Sequence, residues 1–377
     1  MAASPVRQLA VAHTEASMGW GGQEIRTLTE AAGLSARGHR VRVYAAHGAR
    51  LATEAPRYGL AATELPIGRK RPGGVAALAR EFAEHRFDVV NAHSSTDAWL
   101  AALACAWLHV RNHPAPALVR TRHVSIAVPN DPATRWLYRR ASARIVTTGE
   151  ALRDQLVHDN GIDPARIVSV PTGIDAARFT PCPATAARAE LGLAPAHAWV
   201  GIVATLRSWK GHRFLIDALP RLAFPDTRLA IVGDGPQRAA LEAQVAAAGL
   251  SGRVLFAGQR HDVERWLAAF DVFALPSWAN EGVPQALLQA MMMGVPCVTT
   301  AVGAIPEIAH RDETAVVVGT KDPAALAAAI DRVLADRVQA VAMAARAREF
   351  VLPRYTLSGM LDRMEQVFTD AVAEAAR

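Results

Sequence analysis

Two cationic side chains follow a short apolar run in the second half of the chain. The segment Gly201-Ile-Val-Ala-Thr-Leu-Arg207-Ser-Trp-Lys210-Gly211 predicts a buried strand that carries Arg207 and Lys210 at its carboxyl end, just before a helix. Two such cations suit a diphosphate, because charge-assisted hydrogen bonds contribute ~1.5–3 kcal/mol each once desolvated. A pair of solvated surface cations is the alternative, and the local sequence leaves both interpretations open.

A second segment places a carboxylate ahead of a helix. Pro284 suits the first helical turn and Gly294 suits the helix end, so Glu281 is expected in the loop before a helix amino terminus. The N–H groups of Gly282 and Val283 would face an anion there, while Glu281 would accept hydrogen bonds from hydroxyl groups.

The first half offers a glycine-rich turn and two histidines. Gly21 and Gly22 lie between the first predicted strand and helix, where a bare backbone can approach a phosphate; an ordinary tight turn is the alternative, since Glu24 replaces the third glycine of GxGxxG. His93 and His123 follow later strands, at the carboxyl ends where open α/β sheets bind ligands. Each histidine could also be structural.

Positive charge is concentrated in the same half. Residues 1–185 hold 22 Lys+Arg against 15 Asp+Glu, a net charge of +7, whereas the remainder has a net charge of −1. Arg69, Lys70 and Arg71 form a basic loop before an amphipathic helix, which would contact anionic lipid or an acceptor phosphate at ~1 kcal/mol per cation. A solvated basic loop without a partner is the alternative.

Composition excludes several classes of protein. With 377 residues, 51% hydrophobic and 20% charged, the chain is globular and long enough for two domains. Three scattered cysteines favour a reducing compartment, and the amino terminus lacks the apolar core of a signal peptide, so a cytoplasmic location is expected. The absence of an Asp-x-Asp pair argues against a metal-clamped nucleotide-sugar site.

Short β-branched runs alternate with Ala/Leu-rich helical stretches, a pattern that predicts parallel sheets covered by helices. We predict two doubly wound α/β domains over 1–180 and 186–350, a linker at 171–185, and a carboxyl-terminal helical segment, 351–377, packing back toward the first domain. Ligands are expected at the carboxyl ends of the strands, in a central cleft that the two domains face.

These segments, in this order, resemble the retaining glycosyltransferases of family 4, which have the GT-B fold of two Rossmann-like domains. The resemblance covers nearly the whole chain. It rests on GGQE, DVVNAHS, TTGEALRDQLV with IVSVPTGID, ATLRSWKG, LAIVGDGPQR, VLFAGQR and EGVPQALLQAMMMGVPCVTT.

The resemblance implies a role for each candidate residue. The second domain would bind a nucleotide-diphosphate sugar as co-substrate and the first an acceptor, without a cofactor, a metal or a nucleic-acid partner. The implied catalytic residues are His93, Arg207, Lys210 and Glu281, and the implied donor-binding residues are Gly21, Gly22, Arg260, Gly282, Val283, Pro284 and Gln289. On the acceptor or membrane side the implied residues are His123, Arg69, Lys70 and Arg71.

One position departs from the family pattern. The second glutamate of Glu-x7-Glu is Gln289 here, which keeps an acceptor for the ribose but loses the negative charge. The resemblance implies a retaining transferase of lipopolysaccharide, capsule or other cell-envelope glycans, peripheral on the inner face of the cytoplasmic membrane. A catalytically weakened scaffold or partner subunit, and a nucleotide-sugar epimerase of the same fold, are the alternatives.

Overall fold

The computed structural model describes residues 7–375, which divide into two units. The first unit comprises 7–171 together with 358–375, and the second comprises 172–357. The division therefore falls after Pro171 and after Leu357, rather than at the limits 180, 186–350 and 351–377 expected from the sequence.

The first unit is a parallel sheet with helices between its strands. Its strands are β1 Ala10–Glu15, β2 Arg40–Ala46, β3 Ala62–Leu65, β4 Val89–Ala92, β5 Ala117–Arg122, β6 Arg144–Thr147 and β7 Ile167–Ser169. Its helices are α1 Gly22–Ala36, α2 Arg50–Glu54, α3 Pro72–His85, α4 Ser95–Val110, α5 Pro132–Trp136 and α6 Glu150–Asn160, to which the last helix, α14 Leu357–Ala375, is added. The strand order β3-β2-β1-β4-β5-β6-β7 places β1, β4 and β5 side by side at the centre.

The second unit repeats this plan with six strands. They are β8 Trp199–Val203, β9 Arg228–Val232, β10 Val254–Gly258, β11 Val272–Leu275, β12 Cys297–Thr300 and β13 Val316–Val318, all parallel in the order β10-β9-β8-β11-β12-β13. The helices are α7 Ala184–Leu191, α8 His212–Ala218, α9 Arg238–Ala247, α10 Val263–Ala269, α11 Gln285–Met292, α12 Pro323–Ala335 and α13 Arg337–Val351. Pro284 directly precedes α11 instead of standing inside its first turn.

The predicted linker is tied into the second unit. Ile174 donates its backbone N–H to the carbonyl of Tyr355 at 2.8 Å and accepts from the N–H of Leu357 at 2.9 Å. Arg178 pairs with Glu264 at 2.7 Å. Proline and glycine mark turns in this stretch, and turns are compatible with a fixed path.

Helix α14 packs on α1 within the first unit. A Cβ atom at Gly33 would lie 2.5 Å from a Leu361 methyl carbon, so glycine is what allows the two helices to come this close. Arg37 and His39 each contact the Glu365 carboxylate at 2.9 Å. Among the helices within residues 7–375, none is long and apolar enough to cross a membrane.

Candidate functional site

In the second unit, a lysine and a glutamate meet beyond the carboxyl ends of β8 and β11. The Nζ atom of Lys210 donates to both carboxylate oxygens of Glu281, at 2.6 and 2.8 Å. The Ser277 hydroxyl donates to one of these oxygens at 2.6 Å. The Glu281 side chain is only 4% exposed and that of Lys210 21%, so the carboxylate is shielded from water, which strengthens its interaction with the ammonium group.

Backbone contacts fix the loop that carries Glu281. Gly303 has a φ of +58°, and a Cβ atom there would lie 2.1 Å from the Glu281 carbonyl oxygen. Gly282, Val283 and Pro284 are buried directly ahead of α11. The first N–H groups of that helix have no intrahelical acceptor, so this end of the sheet offers donors as well as the ion pair.

Arg207 lies in the loop after β8 but takes no part in the ion pair. It is exposed, and its guanidinium carbon lies 5.6 Å from the centre of the Trp209 ring. Within residues 7–375, no carboxylate forms a salt bridge with Arg207, which leaves its donors for another anion. The neighbouring loop after β9 holds this segment, because Leu206 donates to Asp234 and accepts from Gln237, both at 3.0 Å.

The other two donor-side candidates of this unit are arranged differently. Arg260 makes a bidentate pair with Asp262, at 2.9 and 2.8 Å, which raises the pKa of Arg260 and lowers that of Asp262. Gln289 is half-buried in α11. The structure thus joins Lys210 to Glu281 but does not bring Arg260 into their cluster.

The first unit contains a pocket of about 320 Å³. Cations and donors dominate its polar lining, with Lys70, Arg120 and Arg122 beside His93 and His123. No acidic side chain lines it among the described residues. The pocket is therefore suited to a small anionic group, such as a phosphate or a carboxylate.

Three histidines, one within β1 and one directly after each of β4 and β5, form a stacked row beside this pocket, here named the histidine ladder: His13, His93 and His123. The Nδ1 atom of His13 lies 3.0 Å from Nε2 of His93, and Nδ1 of His93 lies 3.1 Å from Nε2 of His123. Successive ring centres are 5.3 Å apart. Both nitrogens of His93 are thus engaged by other histidines, and His123 is the more accessible of the two predicted residues.

His13 was not singled out in the sequence. The apolar run of residues 9–12 predicts a first strand that ends before His13-Thr14-Glu15, whereas β1 continues through Glu15 with every residue buried. Thr14 donates to Asp97 at 2.8 Å, and the Gln23 amide donates to Glu15 at 2.6 Å. The only clue in the sequence is that His13 directly follows a short apolar run, as His93 does.

Buried charge surrounds the ladder. Arg26 and Glu30 are fully buried and 3.4 Å apart, and the Asn91 amide donates to Glu30 at 2.9 Å. Burial, together with the charge of Arg26, lowers the pKa of His13 to about 3. Burial and neighbouring cationic groups hold the pKa values of His93 and His123 well below their usual range.

Ligand atoms of His13, Glu30 and His93 lie within 4.8 Å of one another, close enough for one metal ion. Glu30 already accepts from Asn91 and Arg26, and both His93 nitrogens are in ring-to-ring contacts. These atoms fit a hydrogen-bonded network beside a buried guanidinium better than a cation site.

Neither glycine of the turn lines the pocket, and the basic loop contributes one residue to it. Gly22 is the first residue of α1 and Gly21 precedes it in an extended conformation, so the helix start is open to an anion. Arg69, Lys70 and Arg71 are all exposed, but Lys70 alone of the three lines the pocket, with Nζ 5.3 Å from the centre of the Trp99 ring.

The sequence of the chain matches two family models and several known proteins. Residues 20–178 match the model of Glycosyltransferase Family 4, and residues 197–336 match that of Glycosyl transferases group 1. A D-inositol 3-phosphate glycosyltransferase of Geodermatophilus obscurus is 33% identical over 310 residues, covering 75% of this chain and 67% of that protein. The lipopolysaccharide core biosynthesis mannosyltransferase LpsB of Rhizobium meliloti is 33% identical over 228 residues, covering 56% of this chain and 61% of LpsB.

Solved structures share the fold. HepE of Anabaena, in complex with UDP-glucose, matches with a TM-score of 0.84 at 21% identity and covers 96% of this chain and 100% of that one. WaaG, a glycosyltransferase involved in lipopolysaccharide biosynthesis, matches with a TM-score of 0.69 at 19% identity, covering 95% and 99% of the two chains.

Two parallel-sheet, Rossmann-like units give the chain the GT-B fold, as the sequence predicted. The two family models and the 33% identical relative identify it as a glycosyltransferase. More specifically, the chain belongs to glycosyltransferase family 4, with a group 1 domain in its second unit.

Proposed function

We propose that the protein transfers a sugar from a nucleotide-diphosphate donor to a hydroxyl group of a phosphate-bearing glycan or lipid-linked acceptor. In this proposal the anomeric configuration is retained and no metal ion takes part. The observation that carries the proposal is the ion pair between the half-buried Lys210 and the buried Glu281 at the carboxyl edge of the second sheet, with the exposed Arg207 nearby.

Departure of the nucleotide leaves negative charge on the β-phosphate, and Arg207 and Lys210 would stabilise it. Glu281 would accept hydrogen bonds from the donor sugar and hold Lys210 in place. The acceptor oxygen forms its bond to the anomeric carbon on the face that the diphosphate leaves, and its proton passes to the departing phosphate. Backbone N–H groups at Gly282 and Val283 would supply further donors, and Gln289 would accept from the ribose.

The cationic pocket of the first unit would hold the acceptor. Its lining supplies hydrogen-bond donors and positive charge, which favours an acceptor that carries a phosphate near the reacting hydroxyl. A relative from Geodermatophilus obscurus is named for an inositol phosphate acceptor, and LpsB for lipopolysaccharide core biosynthesis. These names support a cell-envelope or other phosphate-bearing acceptor here.

We further propose a cytoplasmic location with peripheral contact to anionic membrane. Arg69 and Arg71 are exposed beside the pocket residue Lys70, so they would attract lipid headgroups while Lys70 faces the acceptor. Co-sedimentation with vesicles of anionic phospholipid should weaken as salt is raised, and binding that ignored both salt and lipid charge would contradict this contact.

The test of the donor site is a melting-temperature screen. The protein is heated with UDP, GDP, ADP, CDP and their sugars, with Arg207→Ala as the matched variant. We expect one nucleotide to raise the melting temperature of the wild type but not of the variant. No shift with any nucleotide at millimolar concentration would overturn the proposal and favour a scaffold that has lost its activity.

The reaction itself is tested with the donor that the screen identifies. Free nucleotide released only when an acceptor is present indicates transfer, whereas conversion of the sugar to its epimer indicates the alternative enzyme. NMR coupling constants of the product give its anomeric configuration, and an inverted product would contradict retention. Activity that survives EDTA is expected.

A further inference from the structure

The short contacts between the rings of the histidine ladder restrict which of their nitrogens can be protonated. A short contact between two ring nitrogens needs one proton, because two protons repel each other and two bare lone pairs do the same. The contacts at 3.0 and 3.1 Å therefore hold one proton each. Low pKa values, caused by burial and nearby cations, keep all three rings neutral, so the ladder carries one proton per ring.

Only two arrangements satisfy this rule. In the first, every Nδ1 is protonated: His13 donates to His93, His93 donates to His123, and the Nδ1–H of His123 is left as a donor. In the second, every Nε2 is protonated, the donations run the other way, and His123 ends in a bare acceptor. The ring nitrogen of His13 that carries the proton therefore determines, through His93, whether Nδ1 of His123 is an N–H donor or a bare acceptor.

The buried end of the ladder favours the first arrangement. The Nε2 atom of His13 is buried and has no hydrogen-bond partner in the described part of the chain. An orphaned N–H is rarer in protein interiors than an orphaned acceptor, so a bare Nε2 costs less there than a protonated one. His123 lines the pocket, where an N–H can find an oxygen partner.

We propose that His13 is a positioning residue that holds the ladder in the arrangement with every Nδ1 protonated, so that His123 presents an N–H donor to the pocket. His13 is fully buried and acts only through its contact with His93. The use of this donor rests on the proposed acceptor site. There His123, together with Lys70 and Arg120, would bind oxygen atoms of a phosphate or carboxylate.

The proton arrangement can be measured on the full chain without any substrate. Long-range ¹H–¹⁵N correlation spectra at neutral pH distinguish a protonated ring nitrogen from a bare one, and single histidine variants assign the signals. We expect the Nδ1 atoms of His13, His93 and His123 to be protonated and their Nε2 atoms to be bare. A protonated Nε2 in any of the three, or a nitrogen shift that EDTA removes, overturns the proposal.

Two variants then test the role of His13. In His13→Leu the donor to His93 is lost, so His93 and His123 should show a mixture of both tautomers. In His13→Asn an amide N–H can still donate to His93, and the wild-type pattern should be kept. An unchanged pattern in His13→Leu would show that His13 does not position the others; if that variant does not fold, the wild-type spectrum and His13→Asn still decide.

A titration with inorganic phosphate separates this inference from the proposed function. Binding should shift the His123 Nδ1 signal and weaken about tenfold in His13→Leu but not in His13→Asn, as for one lost hydrogen bond to a charged group. An intact proton pattern with no response to phosphate would count against the anionic acceptor, whereas a wrong pattern would overturn the role of His13 whether or not phosphate binds.

Discussion

The two units of this protein build their candidate sites in different ways. In the second unit the candidate residues lie in loops just beyond the strand ends, where Lys210 contacts Glu281, 71 positions further along the sequence. In the first unit one of the candidate residues lies within a strand, because His13 belongs to β1. Its partners His93 and His123 directly follow β4 and β5.

The difference shows what each kind of site requires. Loop residues such as Lys210 and Glu281 can be recognised by type, since a cation near a helix start suggests an anion site and a carboxylate can accept hydrogen bonds from hydroxyl groups, wherever the strands lie. The ladder exists only because β1, β4 and β5 are neighbours in the sheet. Its chemistry depends on strand order, which no local pattern specifies.

The largest expected effect belongs to the cations of the second unit. Arg207→Ala or Lys210→Ala should lower turnover at least ~100-fold, the scale for losing a group that stabilises charge in the transition state. Steady-state kinetics with the identified donor would measure it.

Arg213→Ala is the matched control for Arg207→Ala. Arg213 is also exposed and stacked on an aromatic ring, 4.5 Å from the centre of Phe214, and it should leave turnover unchanged. Near-normal turnover in either Arg207→Ala or Lys210→Ala would contradict the proposal that these cations of the second unit stabilise the departing diphosphate.

A smaller effect should follow when the glutamate loses its hydroxyl partner. Ser277→Ala removes the 2.6 Å hydrogen bond to Glu281 but leaves both contacts from Lys210. We expect turnover to fall about tenfold, the scale of one hydrogen bond to a charged group. Ser208→Ala, an exposed serine in the neighbouring turn, is the control, and equal turnover in both variants would contradict a role for Ser277.

Most of the fold was predictable from the sequence. All six strands of the second unit coincide with short apolar runs, because the inner strands of a parallel sheet are buried on both faces and need apolar residues. In the first unit the sequence does not predict β3, since this edge strand buries only Leu65 and so lacks an apolar run. The end of β1 was missed because its polar residues find partners on other elements, such as Asp97 for Thr14.

The candidate site was predictable in part, for the same physical reason. Each residue of the Lys210–Glu281 pair was recognised separately, but their direct contact was not. His93 and His123 were recognised by their place after strands. His13, and with it the coupling of all three rings, needed the lateral order of the sheet.

A change of pH should alter the stability of the protein in opposite directions through His212 in the second unit and Glu15 in the first. Burial and Lys210 lower the pKa of His212 to about 3 from its usual 6.5, so its contribution to stability is complete above 6.5 and is lost as the pH falls toward 3. Burial, Asp97 and Glu24 raise the pKa of Glu15 well above 4.5, so its contribution is complete below 4.5 and is lost as the pH rises through the folded value.

Urea midpoints measured against pH test this pair of signs. His212→Asn should lose less stability than wild type on acidification, and Glu15→Gln should lose less on raising the pH, each by up to ~1.4 kcal/mol per pH unit. His113→Asn, at an exposed position with no salt bridge among the described residues, is the matched substitution at the surface. Curves for His212→Asn and Glu15→Gln that both run parallel to wild type would show that neither group is buried in the charge state inferred.

The smallest effect should come from the rim of the pocket in the first unit. Lys70 is exposed, so its attraction for an anionic acceptor is screened by water and worth ~0.2–1 kcal/mol. Lys70→Ala should therefore raise KM for a phosphate-bearing acceptor up to about fivefold, with kcat unchanged and the difference shrinking at high salt. Arg80→Ala, an exposed cation of α3 outside the pocket lining, should leave KM as it is. A loss in kcat instead of KM would mean that Lys70 acts on the reacting atoms, and the contrast between a catalytic second unit and an acceptor-binding first unit would then fail.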